Sequence, residues 1–477
     1  MKELGRSVGL LGAQRAAVLL LGAVRTKIVA TVLGPAGLGL LSQASSLVEL
    51  LRQVANVGTG RGFLRLVAEQ GASGDTARLE RLILTAGTLV GLLSGILAAS
   101  CVGFAPAIAA GVFGDAGRAP LVTLCGLILV ASVPGAMAGR ILNGLLDFRA
   151  YGALMVAQSL AGVVAMAVLA PSAGLAGGVA ALLVADVVGA GLGVVLLRRR
   201  VCSPLGLSLR PRAPDVESLR RLLRYAGALS VTSLAAAGAA LLVRTDMLVR
   251  LGPEANGLYQ VAWQVGQNYL GILAASLWSY GMPKIASHLE DAEAIGSLQN
   301  DFLCIALALL APGILILLVS REFWVPILFS VKFLGAGPIL AWQLSGELGS
   351  VLRQSMNISL LPRERLRFLV LQGVAYWGAW AALSWILVPR LGALSAAVAY
   401  CVVNALMLVV SFAYHHRVLG FRLRPDSRAL LWRTLPLFAV GVALSLQPGP
   451  MRFTPLAVLA IWLLLSRRFL VRLRDLV

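Results

Sequence analysis

Apolar stretches of about 20 residues follow one another along the whole chain, and each is long enough for an α-helix to cross the hydrocarbon core of a bilayer. They cover residues 8–33, 36–66, 82–110, 119–140, 151–170, 174–197, 225–250, 255–283, 300–320, 322–354, 368–388, 391–413, 431–446 and 453–466. This gives about fourteen candidate membrane helices, the second and tenth carrying the most polar residues. The 477 residues are 58% hydrophobic and 13% charged, a balance that excludes an ordinary soluble domain. Fifty-one glycines suit close helix packing in lipid. The expectation is an all-α polytopic membrane protein.

The formal charge of +20 does not point to nucleic acid. A nucleic-acid binder presents basic clusters on a soluble face, whereas these cations sit mainly in short loops between apolar spans. With the N-terminus inside, the inside loops and tails hold roughly 27 Lys and Arg against roughly 6 outside, so the positive-inside rule places both termini in the cytoplasm. The first apolar run contains Arg15 and Arg25 and lacks the three-part design of a cleavable signal, so it reads as its own anchor. The most basic loop, 198–224, is also Pro-rich. It divides the chain into an N-terminal six-helix lobe (1–200), a linker (201–224), a second six-helix lobe (225–416), and a tail with two extra helices (417–477). The five cysteines are scattered and read as free thiols, and His288, His415 and His416 fall in predicted loops. Neither a metal nor a cofactor is expected.

The two lobes share a phrase. "LGPAGLGL" (33–40) ends the first helix and "LGPEANGL" (251–258) ends the seventh, 218 positions later. Pro fixes its own backbone angle and Gly tolerates a positive one, so each phrase predicts a tight turn. The same offset sets Ala68 opposite Ala286. Two homologous lobes in one membrane orientation, related by an axis along the membrane normal, account for this repetition.

Polar residues recur at steps of three and four along the second helix: Ser42, Ser45, Ser46, Glu49, Arg52, Gln53, Asn56 and Thr59. The eighth helix repeats the stripe with Gln260, Gln264, Gln267 and Asn268, and the tenth with Gln343, Glu347, Ser350, Gln354 and Asn357. An ion facing lipid at the bilayer centre costs about 3 kcal/mol even on the lenient insertion scale, so the stripes must face protein or water. Interhelical hydrogen bonding explains any single Gln or Ser; three long stripes fit a hydrated cavity better. Deep charges sharpen the reading. Arg25 lies about 12 Å below the outer helix end, Glu49 and Arg52 are spaced to pair, and Arg244 with Asp246 occupies the matching depth in the seventh helix. Asp186 and Glu347 are further embedded acids. Cations exceed anions in this set, which favours an anionic passenger or lipid headgroup.

No GxxxxGK[ST] loop is present, so ATP is not hydrolysed through that motif. The outside loops run to about a dozen residues or fewer and leave no room for a folded external catalytic domain. Transport must draw on an ion gradient, the membrane potential or the gradient of the substrate.

The phrases "KIVATVLGPAGLGLLSQ", "GRGFLRLVAE", "DMLVRLGPEANGLYQVAWQV" and "LFSVKFLGAGPILAWQLSGELG" together resemble the lipid-linked oligosaccharide flippases of the Wzx type. These belong to the MOP superfamily, with the MATE multidrug antiporters and the lipid II flippases. The resemblance implies two pseudo-symmetric six-helix bundles in a V around a central cavity. It also implies movement of an undecaprenyl-diphosphate-linked oligosaccharide from the cytoplasmic to the periplasmic leaflet by alternating access, without enzymatic chemistry. Under it, the diphosphate would sit near Arg25, Lys27, Arg52 and Arg244, and the glycan along Gln260, Gln264, Gln267, Asn268, Gln343 and Gln354. Glu49, Asp186, Asp246 and Glu347 would be candidates for proton or sodium coupling, each with a buried packing ion pair as the alternative. The last two helices exceed the usual twelve of the Wzx type but are shared by the lipid II flippases, while "AWQLSGE" with Glu347 leans towards the O-antigen and enterobacterial-common-antigen branch. The implied partners are the lipid-linked substrate, membrane lipids, a polysaccharide polymerase and a chain-length regulator. The rival readings are a cation-coupled antiporter, which would favour acids over arginines, a lipid II flippase, and a membrane polymerase or ligase, which needs a large external loop.

Overall fold

The computed structural model describes residues 2–56, 60–208, 215–447 and 453–474. The first helices are α1 (Lys2–Val32), α2 (Gly34–Ala55), α3 (Arg61–Ser73), α4 (Thr76–Gly103), α5 (Ala105–Phe113), α6 (Ala119–Gly144), α7 (Phe148–Leu197) and the single turn α8 (Ser203–Leu205). They are followed by α9 (Val216–Leu251), α10 (Pro253–Gln264), α11 (Gly271–Ala286), α12 (Ala292–Val319), α13 (Arg321–Leu328) and α14 (Gly337–Asn357). The last four are α15 (Leu366–Leu391), α16 (Ser395–Leu419), α17 (Pro425–Ser445) and α18 (Pro455–Arg474).

Burial runs opposite to that of a soluble protein. Leu92, Ile96, Leu242, Leu371 and Val409 are all at least 61% exposed, whereas Gln43, Asn256, Gln343 and Asn404 are 0% exposed. Lipid imposes this pattern, since tails solvate leucine as well as a core does while backbone and side-chain polar groups must find partners inside. Helices such as Thr76–Gly103 and Ala292–Val319 are long and apolar enough to cross a membrane. The molecule is a multi-span helical membrane protein.

The turns follow from glycine and proline. Gly34 (φ +65) precedes Pro35, and Gly252 (φ +86) precedes Pro253, so both predicted LGP turns form as left-handed glycines followed by helix-starting prolines. Asp75, Asp147, Asp215 and Asp291 cap α4, α7, α9 and α12 by accepting from backbone N–H groups one turn in. α7 holds two spans, because Ala173 and Gly174 leave helical geometry and reverse the chain between 151–170 and 174–197.

Four expected single helices are interrupted, one of them, 82–110, at Phe104 between α4 and α5. The span 36–66 ends at Ala55 and resumes as the separate α3, whose Phe63, Leu66 and Val67 are buried while Arg65 and Glu69 are exposed. Thirteen residues cover about 20 Å, too short to cross a bilayer, so α3 is an amphipathic helix and not the lower part of a span. The glycines at 58 and 60 in the sequence disfavour a continuous helix there, and Thr59 lies outside the described residues. The span 255–283 carries a π-helical segment at Val265–Leu270, and 322–354 splits into α13, a 3₁₀ segment (Val331–Ala336) and α14. His415 and His416 lie inside α16, not in a loop; His415 is fully buried between the Ser411 carbonyl and Ser359.

The helices group into two compact units, Met1–Gly257 and Leu258–Val477. α9 packs on α2, α3, α4 and α5 and so belongs to the first unit, although it follows the basic linker. Within that unit the two LGP phrases touch. Gly39 packs against the carbonyl of Pro253, and Gly257 against the carbonyl of Pro35. The offset of 218 extends well beyond these phrases: α6 opens on Ala119-Pro120 and α14 on Gly337-Pro338, while α7 begins at Phe148 and α15 at Leu366.

Candidate functional site

The polar residues of the stripes gather into three clusters. In the first unit, Arg52 near the end of α2 bonds Asp186 of α7, Nη2 to Oδ2 at 2.5 Å. Its Nε donates to Ser132 Oγ at 3.3 Å. Gln158 Nε2 donates to the other Asp186 oxygen at 2.8 Å, so both carboxylate oxygens are engaged. The Arg25 guanidinium lies against Gly162, which packs on Ala185 beside Asp186. Arg140 of α6 donates to Asn56 Oδ1 at 2.8 Å, and Asn56 in turn donates to the Arg52 carbonyl at 2.7 Å. Arg52, Asn56, Ser132, Arg140, Gln158 and Asp186 border a cavity of about 350 Å³ between α2, α3, α4, α6 and α7.

The second cluster, also in the first unit, holds Arg244. It is 4% exposed and donates to Ser42 Oγ at 2.9 Å and to Asn256 Oδ1 at 3.5 Å. Asn256 Nδ2 donates to the Gly39 carbonyl at 2.9 Å, tying Arg244 to the contact of the LGP phrases. Neighbouring Gln43 donates to Thr245 at 2.7 Å and to the Val112 carbonyl at 2.9 Å.

The third cluster lies in the second unit. Glu347 of α14 is buried, and its Oε1 accepts from Tyr400 (3.0 Å), Gln267 (3.2 Å) and Gln343 (3.4 Å). Gly266, in the π-helical segment, makes room for that carboxylate, since a Cβ there would stand 2.6 Å from Oε1. Trp263 stacks on Trp380 at 5.5 Å beside Tyr400, so the aromatics here form packing around the acid.

The remaining expected residues divide as follows. Glu49 is exposed and accepts from Gln53 at 2.6 Å, so the expected Glu49–Arg52 pair does not form and Arg52 turns to Asp186 instead. Asp246 pairs with Arg250 one turn later at 2.7 Å. Arg25 and Arg244, expected to converge, have different partners. Lys27, Gln260 and Gln264 are half-buried, Asn268 is exposed, and Gln354 donates to Ser350 at 3.2 Å. Gln158 and Arg140 escaped the sequence reading. Gln158 is an amide in an otherwise apolar span and could have been singled out for that reason, while Arg140, at the end of its predicted span, looked like an ordinary loop cation. Among the described residues no group of three or more His, Cys, Asp or Glu side chains is placed to hold a metal ion.

Apolar side chains turned outward and charged ones clustered between helices define a polytopic membrane protein. The chain belongs to the polysaccharide biosynthesis protein family, whose pattern matches residues 4–287. It is 26% identical over 375 residues to the lipid III flippase of Escherichia coli (strain K12), a match covering 78% of this chain and 89% of that one. The fold is that of the lipid II flippase MurJ in an inward closed conformation, with a TM-score of 0.74 and 13% identity over 98% of this chain and 99% of that one. It is also that of an inward-facing MATE family multidrug resistance transporter of the MOP superfamily, with a TM-score of 0.66 and 16% identity over 84% and 94% of the two chains.

Proposed function

We propose that this protein flips an undecaprenyl-diphosphate-linked oligosaccharide from the cytoplasmic to the periplasmic leaflet of the inner membrane, by alternating access, to feed cell-surface polysaccharide synthesis. The observation that carries this reading is the cation excess at the first-unit cluster, where Arg52 pairs with Asp186, Arg25 lies against Gly162 beside that acid, and Arg140 bonds the neutral oxygen of Asn56. A diphosphate carries the compensating charge, and in a confined site it interacts with guanidinium groups far more strongly than in bulk water. The similarity to a lipid III flippase and a fold shared with a lipid II flippase support a lipid-linked saccharide as cargo.

In this reading Arg25, Lys27, Arg52 and Arg244 contact the diphosphate on its path and the glycan follows the amides Gln260, Gln264, Gln267, Asn268, Gln343 and Gln354. The polyprenyl tail stays in lipid. Asp186 and Glu347 are the acids best placed for proton or sodium coupling, being buried and held by neutral donors as well as, for Asp186, by Arg52. Glu49 is exposed and Asp246 already paired with Arg250, which makes both weaker candidates. Both termini face the cytoplasm, and a polymerase and chain-length regulator act on the product.

Export measured as cell-surface glycan in a host lacking its own flippase tests the reading. Arg25→Ala and Arg244→Ala should each lower it by roughly ten- to a hundredfold, the loss of one charge-assisted contact, with Lys restoring part and Gln none. Because Arg244 also anchors Ser42 and Asn256, its melting temperature is read alongside. Folded alanine variants that export at the wild-type rate would overturn the assignment. Lipid II is the second reading, favoured by a shared fold that includes α17 and α18. Rescue of cells depleted of their lipid II flippase separates the two.

A further inference from the structure

We infer that the cavity in the first unit is a phosphate-binding pocket, with Arg140 as its capturing cation and Asn56 holding that guanidinium in place. The inference rests on the reading of the substrate as a lipid diphosphate and deepens it by naming a binding residue and a pocket.

The argument begins with the internal repeat. At the offset of 218, Ser132, Gln158 and Asp186 of the first unit correspond to Ser350, Tyr376 and Asn404 of the second. The hydrogen bond from Gln158 to Asp186 has its counterpart in the bond from Asn404 Nδ2 to Tyr376 Oη at 3.1 Å. The corresponding bond in the second unit is thus between neutral groups, with the Arg353 guanidinium lying over the Tyr376 ring at 4.7 Å. Arg140 corresponds to Ile358, which is 0% exposed. The second copy packs with a neutral residue at each of these two positions, so packing alone does not call for an acid at Asp186 or a cation at Arg140.

The charges also do not balance. Arg52 is neutralised by Asp186 at 2.5 Å, whereas Arg140 is bonded to the neutral oxygen of Asn56, and among the described residues no carboxylate forms an ion pair with it. The wall they share encloses about 350 Å³, enough for a diphosphate and part of a first sugar, and its other polar groups, Asn143, Ser94 and Tyr151, are neutral. A net positive pocket lined by donors selects an oxyanion, and a planar guanidinium can hold two of its oxygens at once.

The test uses the full-length protein, purified in detergent, with farnesyl diphosphate as a short-chain probe, farnesol as its neutral counterpart and inorganic pyrophosphate as the free anion, read by microscale thermophoresis. Farnesyl diphosphate should bind the wild type at least tenfold more tightly than farnesol or pyrophosphate. Arg140→Gln should weaken it by roughly ten- to a hundredfold, with Arg140→Lys intermediate. Ala136→Phe, which fills the cavity without changing charge, should weaken it comparably and guards against a charge variant that fails to fold. If both Arg140→Gln and Ala136→Phe bind as the wild type does, the pocket is not the phosphate site and this inference falls while the flippase reading stands. If pyrophosphate matches farnesyl diphosphate, the pocket takes a free anion and the lipid assignment falls. A wild type that does not distinguish farnesyl diphosphate from farnesol overturns both.

Discussion

Gly39 and Gly257, 218 positions apart, pack reciprocally: each presents its bare Cα to the carbonyl of the proline that opens the other's helix. A Cβ at either position would stand closer than 3.0 Å to a backbone oxygen, and backbone cannot swing aside as a side chain can. Gly39→Ala and Gly257→Ala should each destabilise the protein by about 1–3 kcal/mol or more, the usual cost of overpacking. Gly22→Ala in α1, where nothing lies within 4 Å, should leave stability unchanged or slightly raised. Thermal unfolding in one detergent checks all three.

The Arg52–Asp186 pair joins residues 134 positions apart. Asp186→Asn leaves a cation without its counter-charge in a low-dielectric site. Breaking a fully buried pair costs about 3–5 kcal/mol, and because the Arg52 side chain is 33% exposed, about 1–3 kcal/mol is expected. In a double-mutant cycle, Arg52→Gln with Asp186→Asn should recover part of that loss. Strict additivity would mean the two charges do not sense each other.

Glu347 offers a direct test of coupling. In proteoliposomes with an imposed proton or sodium gradient, Glu347→Gln should flip substrate at a rate that no longer responds to the gradient, because the amide keeps the hydrogen-bonding shape and loses the titratable oxygen. A variant whose response matches the wild type would make the residue a packing element.

Asp215 predicts a pH dependence at the entry to α9. Its carboxylate accepts from the backbone N–H of Ser218 at 2.8 Å, and hydrogen bonding from Ser218 holds its pKa below the ordinary value. A depressed folded-state pKa means the cap stabilises fully above the unfolded value, near 3.9, and is lost as pH falls through the lower, folded one. Asp215→Ala should cost about 1 kcal/mol at pH 7, and the gap in melting temperature to the wild type should hold down to about pH 5 and shrink below about pH 4. A gap that persists in acid would show that the side chain acts otherwise than as a charged cap.

What the sequence disclosed and what it hid divide along a physical line. Local constraints were legible. Gly-Pro after Leu favours a turn and apolar runs of bilayer length favour spans, so the LGP turns and most helices emerged from residue order alone, while along α2 Ser42 is buried but Ser45 and Glu49 are exposed. Partnerships across long separations were not. Glu49 and Arg52 have the spacing of a helical pair, but Arg52 finds its stronger partner in Asp186 and Glu49 turns to Gln53. The end of α2 was hidden because the polar periodicity continues through the break into α3. Arg140 was hidden because a cation near a helix end looks topological until Asn56 and the cavity stand beside it.

The chain reverses between spans at Gly174 (φ 55, ψ −132) and again at Gly392 (φ 53, ψ −132), in nearly the same conformation, each three residues after a proline. From the left-handed glycine of each LGP turn to its reversal, Gly34 to Gly174 and Gly252 to Gly392, the two copies therefore enclose the same length of chain. Every residue gained on one side since the copies diverged, whether at the α2–α3 break or in the π-helical segment, has been matched by one lost elsewhere on the same side. The bilayer acts as a gauge on both copies. It leaves their chemistry free to drift, an Arg52–Asp186 ion pair in one and Glu347 held by neutral donors in the other, while holding the spacing of their turns fixed.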